Sequence, residues 1–145
     1  VRVAIVIVLG GAAMMYSPVA AMQPVKPRLG IHLIGDLYQC RGDIRYFVDR
    51  NCLRTLCLEA VHEAGLIALG DLFHQFGQAG GVTGAVVLAE SHLTIHTWPE
   101  KRYVTLDVYV CNYSQDNRHK AQKLFDQLVV VFDPALPRTQ CVERE

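Results

Sequence analysis

The stretch Glu90-Ser91-His92-Leu93-Thr94-Ile95-His96-Thr97-Trp98-Pro99-Glu100 puts a serine hydroxyl, two imidazoles and two carboxylates within eleven residues. These types serve nucleophilic and proton-transfer chemistry. Taken singly, each also has an ordinary reading. A serine at a hairpin end is a turn former. His96 on an alternating strand is a half-exposed histidine, and Glu100 after Pro99 a solvated turn carboxylate. Phe76 reads as a core aromatic and Cys111 as a small buried residue. It is the arrangement that asks for more.

Other chemistries fit less well. Cys40, Cys52, Cys57, Cys111 and Cys141 are odd in number and contain no CxxC pair, which argues against a disulfide framework or a zinc knuckle. No metal is expected, because the histidine and cysteine spacings form no recognised ligand set. Reduced thiols in a cytoplasmic protein are the plainer expectation, with Cys40, Cys52, Cys57 and Cys141 as small core residues. Gly77-Gln78-Ala79-Gly80-Gly81 is a glycine-rich loop lacking the Lys-Ser/Thr of a phosphate cradle.

The elements that must position these residues can be read from periodicity. Ile31–Tyr38 is expected as a first strand, and Asp43–Ala64 carries helical apolar spacing. Asp49 is the cap if that helix starts late, and Gly65 is its stop. Leu66–Phe76, Val82–Ala89, Ser91–Trp98 and Tyr103–Val110 follow as strands, the last alternating cleanly. Asp116–Val129 reads as a second amphipathic helix. Pro134 and Pro137 mark a turn before a short strand at Thr139–Glu143. The order β-α-β-β-β-β-α-β predicts an α+β two-layer sandwich, an antiparallel sheet with two helices on one face. Its other face needs cover, so a homodimer is expected. If Thr83 pairs with His96, then Ala89 and Glu90 form a two-residue hairpin turn with Ser91 just beyond.

The eleven-residue stretch resembles a nearly identical ESHxTxHTxPE segment of the prokaryotic S-adenosylmethionine decarboxylase proenzymes. Further likeness lies in Phe73-His74-Gln75-Phe76, Gly81-Val82-Thr83-Gly84 and Asp107-Val108-Tyr109 leading into Cys111. The resemblance covers most of the chain from Gly30 onward. It implies self-cleavage between Glu90 and Ser91: the serine hydroxyl converts the peptide to an ester, and elimination then leaves a pyruvoyl group derived from Ser91. That ketone would form a Schiff base with the substrate amine and accept electrons as carbon dioxide leaves. The resemblance further implies that His96 assists processing, that Cys111 returns a proton to the substrate carbon, and that Thr83 stands where serine is usual. Glu100 matches an acidic residue associated with the ribose hydroxyls, and Phe76 an aromatic associated with the purine. His74 falls within the matched segment and is a candidate pocket residue only.

The implied function is decarboxylation of S-adenosylmethionine for spermidine synthesis. The loop 77–81 is one residue longer than usual and lacks the family's proline, which keeps arginine or ornithine open as substrates. An unprocessed, non-enzymatic dimeric binding protein is the rival from another class. A strand places His96 on the order of 16 Å from Ser91 at about 3.3 Å per residue. The resemblance answers with a two-fold dimer whose sites form between subunits.

Composition sets the remaining bounds. The formal net charge of zero gives no reason to expect a nucleic-acid partner, and a hydrophobic content of 51% suits a single globular domain. That domain is expected over 29–145, behind an extension over 1–28. Val3 through Met22 carries no charge and follows Arg2, which imitates a signal peptide ending near Ala20-Ala21. A natural start at Met22 is the alternative. No stable membrane partner is expected, since two glycines, Ser17 and Pro18 weaken a spanning reading.

Overall fold

The computed structural model describes residues 30–112 and 115–144. The expectations for the N-terminal extension therefore lie outside the described residues. The elements are β1 (Gly30–Cys40), α1 (Arg45–Val48), α2 (Arg50–Glu63), β2 (Ala68–Gln75), β3 (Val82–Leu88), β4 (Ser91–Trp98), β5 (Tyr103–Val110), α3 (Arg118–Phe132) and β6 (Pro134–Arg144). A 3₁₀ turn, Pro99–Lys101, joins β4 to β5. The strands form one six-stranded sheet in the order β2-β3-β4-β5-β1-β6, and every pairing is antiparallel.

Alternation explains the two layers. Along β5, Val104, Leu106, Val108 and Val110 are fully buried while the residues between them are half-buried. Leu33 and Leu37 of β1, and Leu93 and Ile95 of β4, extend the same apolar face. Helices α2 and α3 cover it with Leu53, Cys57, Val61, Leu124 and Leu128. Each such side chain contributes about 1.5–3 kcal/mol on burial, so this face holds the fold together. The opposite face carries no helix among the described residues. It presents His32, Tyr109 and His92 in one cross-strand row, and Asp36, Thr105, His96, Thr83 and His74 in another.

Three boundaries depart from the sequence expectation. The first helical segment is divided at Asp49, the late cap that the sequence allowed, whose backbone is extended at φ −123° and ψ 108°. Its carboxylate accepts from the N–H groups of Asn51 and Cys52 at 2.8 and 3.1 Å, which makes it the cap of α2 and lowers its pKa. Gly65, at φ 75°, follows α2. The last strand is much longer than Thr139–Glu143, running from Pro134 through Pro137 to Arg144. It lies at the sheet edge and pairs only with β1, so prolines lacking an N–H are tolerated there. The second helix extends to Phe132 and ends on Asp133, a left-handed residue at φ 44°. The Asp133 carboxylate pairs with Arg41 through two bonds of 2.9 and 2.8 Å, fastening the α3–β6 corner to the end of β1.

Candidate active site

The β3–β4 hairpin carries Thr83, Glu90, Ser91 and His96 of the residues that the sequence singled out. Its register pairs Thr83 with His96 and Leu88 with Ser91, so Ala89 and Glu90 form the two-residue turn as expected. Ser91 sits at φ 143°, a conformation that L-residues rarely adopt and that stores backbone strain. The carbonyl of Glu90, one bond before Ser91, accepts from the Cys111 N–H at 2.9 Å. Glu90, Ser91 and Cys111 therefore meet at one corner. The Ser91 hydroxyl also lies 3.4 Å from Nδ1 of His92.

Two residues missed in the sequence hold this corner. Asn117, 2% exposed, donates from its side-chain amide to the Glu90 carboxylate. Its backbone N–H in turn donates to Oδ1 of Asn112 at 2.9 Å, and Asn112 is also buried. Asn117 stands at the start of α3, where asparagine is an ordinary cap, so its type alone gave no sign of a contact 27 residues away.

The other end of the hairpin opens into a cavity of about 490 Å³, lined by Phe76, Thr83, His96, Thr97, Trp98 and Glu100 among others. Four of the expected site residues, Phe76, Thr83, His96 and Glu100, are thus brought together. The Thr83 hydroxyl and His96 Nδ1 share a hydrogen bond. Phe76 is 58% exposed, which rules out the core-aromatic reading, and the His74 ring meets it edge-on at 4.9 Å. Trp98 stacks on Tyr103 at 5.0 Å, and Tyr103 on Tyr38 at 4.7 Å. The Tyr103 hydroxyl donates to Asp36; burial first, then that carboxylate, holds the phenol protonated far above its usual range.

Thr97 is the third residue that sequence reading passed over. It is 4% exposed, donates to the Phe47 carbonyl at 2.8 Å and accepts from the Val82 N–H at 2.8 Å. It thereby ties α1 and the start of β3 to the strand that carries His96. Gly81 passes so close that a β-carbon there would stand 1.9 Å from the Thr97 carbonyl oxygen.

What one chain does not bring together is equally plain. Ser91 and His96 belong to one strand, five residues apart, about 16 Å along it. The thiols also sort themselves. Burial pushes Cys57 up to about 12 and Cys40 up to about 11, which makes both inert at neutral pH. Cys141 departs from the buried-residue expectation, because edge strand β6 leaves it exposed; Cys52 is half-buried. Among the described residues, no group of three or more His, Cys, Asp or Glu side chains could hold a metal ion. No helix among them is long and apolar enough to cross a membrane.

A helix-backed antiparallel sheet that presents a strained Glu–Ser turn and an aromatic- and histidine-lined cavity defines an α+β protein with an enzyme-like site. The family model described as S-adenosylmethionine decarboxylase matches residues 31–145. An S-adenosylmethionine decarboxylase proenzyme of Pyrobaculum aerophilum is 40% identical over 100 residues, covering 69% of this chain and 78% of that protein. The proenzyme of the same name from Picrophilus torridus is 34% identical over 120 residues, covering 83% and 87%. The crystal structure of the adenosylmethionine decarboxylase from Aquifex aeolicus VF5 superposes with a TM-score of 0.71 at 35% identity, over 81% of this chain and 91% of that one. The chain belongs to the S-adenosylmethionine decarboxylase family.

Proposed function

We propose that this chain is a proenzyme that cleaves itself between Glu90 and Ser91, keeps a pyruvoyl group derived from Ser91, and decarboxylates S-adenosylmethionine. The observation that carries the reading is the corner itself: a serine at φ 143° beside a carbonyl already polarised by the Cys111 N–H. Attack of Ser91 Oγ on the Glu90 carbonyl carbon exchanges the amide for an ester and relieves the strained peptide. The Cys111 N–H can stabilise the charge that develops on the carbonyl oxygen. Loss of the Ser91 α-proton then expels the Glu90 carboxylate, and water releases ammonia to leave the ketone.

The residues present fit that group, since hydroxyl, carbonyl and thiol-bearing residue converge on one bond. When formed, the ketone supplies an electron sink for the departing carboxylate. Cys111, the residue after β5, hands a proton to the substrate carbon in this reading. Phe76 and Glu100, which both line the cavity, suit a purine and ribose hydroxyls respectively.

Because His96 and Thr83 stand at the far end of the hairpin, we assign them to the Ser91 and Cys111 of a second copy. The uncovered sheet face, with its histidine and aromatic rows, is the surface on which such a two-fold dimer would close. The buried thiols suit a cytoplasmic setting. Intact mass tests the cleavage: two fragments, the second starting at a pyruvoyl group, are expected, and one uncut chain near 16.2 kDa would overturn it. Carbon dioxide release from S-adenosylmethionine tests the substrate; release from arginine alone would overturn that part. Mixing Ser91→Ala with His96→Ala chains should restore partial processing, and failure in verified mixed dimers would sink the shared site.

A further inference from the structure

Resting on the self-cleavage reading, we propose that His92 acts within its own chain to take the proton from Ser91 Oγ and deliver it to the Ser91 nitrogen during the amide-to-ester exchange. Nδ1 of His92 lies 3.4 Å from Ser91 Oγ, within the reach asked of a general base before its substrate bond tightens. The contact is not a routine neighbour effect. Successive strand residues point to opposite faces, so Ser91 and His92 should diverge. They meet where Ser91 leaves strand geometry at φ 143°, the same distortion that strains the bond to be broken. His96, by contrast, engages Thr83 through its own Nδ1 at the far end of β4.

The step balances without a co-reactant. The Oγ–H proton passes to Nδ1 as the Oγ–carbon bond forms; the carbon–nitrogen bond breaks as that proton moves to the departing amine. Nothing is oxidised or reduced. The second subunit's His96 is left for the later removal of the α-proton.

The surroundings keep His92 suited to this work. From β1, His32 meets its ring edge-on at 6.3 Å; from β5, Tyr109 lies at 5.7 Å. Asp107, also on β5, is drawn to His32 Nε2 at 3.3 Å. Arg144 of β6 lies 4.9 Å over the Tyr109 ring, and on the β3 side the cross-strand partner is the uncharged Val87. Burial first, then His32, with Arg144 adding to them and Asp107 opposing, lowers the His92 pKa below its usual value. The imidazole is therefore neutral at neutral pH, with a lone pair free to accept.

The test follows cleavage of freshly translated full-length chain by denaturing gel and intact mass between about pH 4.5 and 7.5, a span that reaches below the ordinary histidine range. Wild-type rate should rise with pH and level off once His92 is neutral. His92→Ala should fold, cleave on the order of 100-fold more slowly, lose that rising limb and recover in part with added imidazole. His92→Gln, which keeps volume and hydrogen bonding, should stay slow, and it serves equally if His92→Ala does not fold. Hydroxylamine should not hasten cleavage of either variant, since no ester builds up. Wild-type rates in both variants, or a hydroxylamine-sensitive ester accumulating in them, would overturn the assignment. An uncut wild type would instead overturn the self-cleavage reading beneath it.

Discussion

The two ends of the β3–β4 hairpin are built differently. The turn end is built from backbone: a strained Ser91, a carbonyl fixed by the Cys111 N–H, and the Glu90 side chain held by Asn117. The cavity end is built from side chains, with Phe76, Thr83, His96 and Glu100 around an open volume. Bond breaking needs a peptide held in a conformation it would otherwise leave, which only the backbone network can impose. Binding needs shape and a few placed polar groups, which strand-borne side chains supply. A two-residue turn fixes the register that spaces the two ends, so neither can serve the other within one chain.

Substitutions can separate the two roles. Ser91→Ala should abolish cleavage entirely while the sheet folds as before; intact mass and circular dichroism read both. A cut Ser91→Ala chain would remove the turn end from the chemistry. Thr97→Val should act on stability instead, since it leaves the Phe47 carbonyl and the Val82 N–H without their partner. A loss on the order of 2–4 kcal/mol is expected, measured by denaturant unfolding, together with a distorted cavity wall. Asn117→Ala should cost about 1–3 kcal/mol and slow cleavage, leaving substrate affinity of any mature enzyme unchanged. Slowing of cleavage by Thr97→Val that mixing with Ser91→Ala chains did not relieve would erase the distinction between the ends. Phe76→Ala should have the smallest effect on the protein, none on cleavage or unfolding, because the ring is exposed. It should raise KM for S-adenosylmethionine by about tenfold, the equivalent of ~1.4 kcal/mol.

Much of this was legible in the residues. Alternation in Tyr103–Val110 gave both the strand and its buried face, because a period of two is set by local backbone geometry. The spacing of Thr83 and His96 allowed a register with Ala89 and Glu90 as a two-residue turn, and the observed pairing has that register. The segment 90–100 carried the resemblance to the family without any coordinates.

Other features needed the third dimension. The run through Pro134 and Pro137 reads as a turn until its place at the sheet edge is known, since only there does a missing N–H cost nothing. The long helical pattern left the start of the helix open between Asp43 and a late cap at Asp49; the extended backbone at Asp49 decided for the late cap. Asn117 and Thr97 look ordinary by type; their importance lies in partners 27 and 50 residues away. His92 stands beside Ser91 in the chain, yet strand geometry alone would have sent the two side chains apart. The sequence by itself determined the periodic elements and singled out the Glu90–Ser91 bond proposed for cleavage, because these depend on neighbours along the chain. Only the tertiary structure decided which distant groups hold that bond strained and which imidazole can reach it, because those contacts arise from the order in which the strands pack.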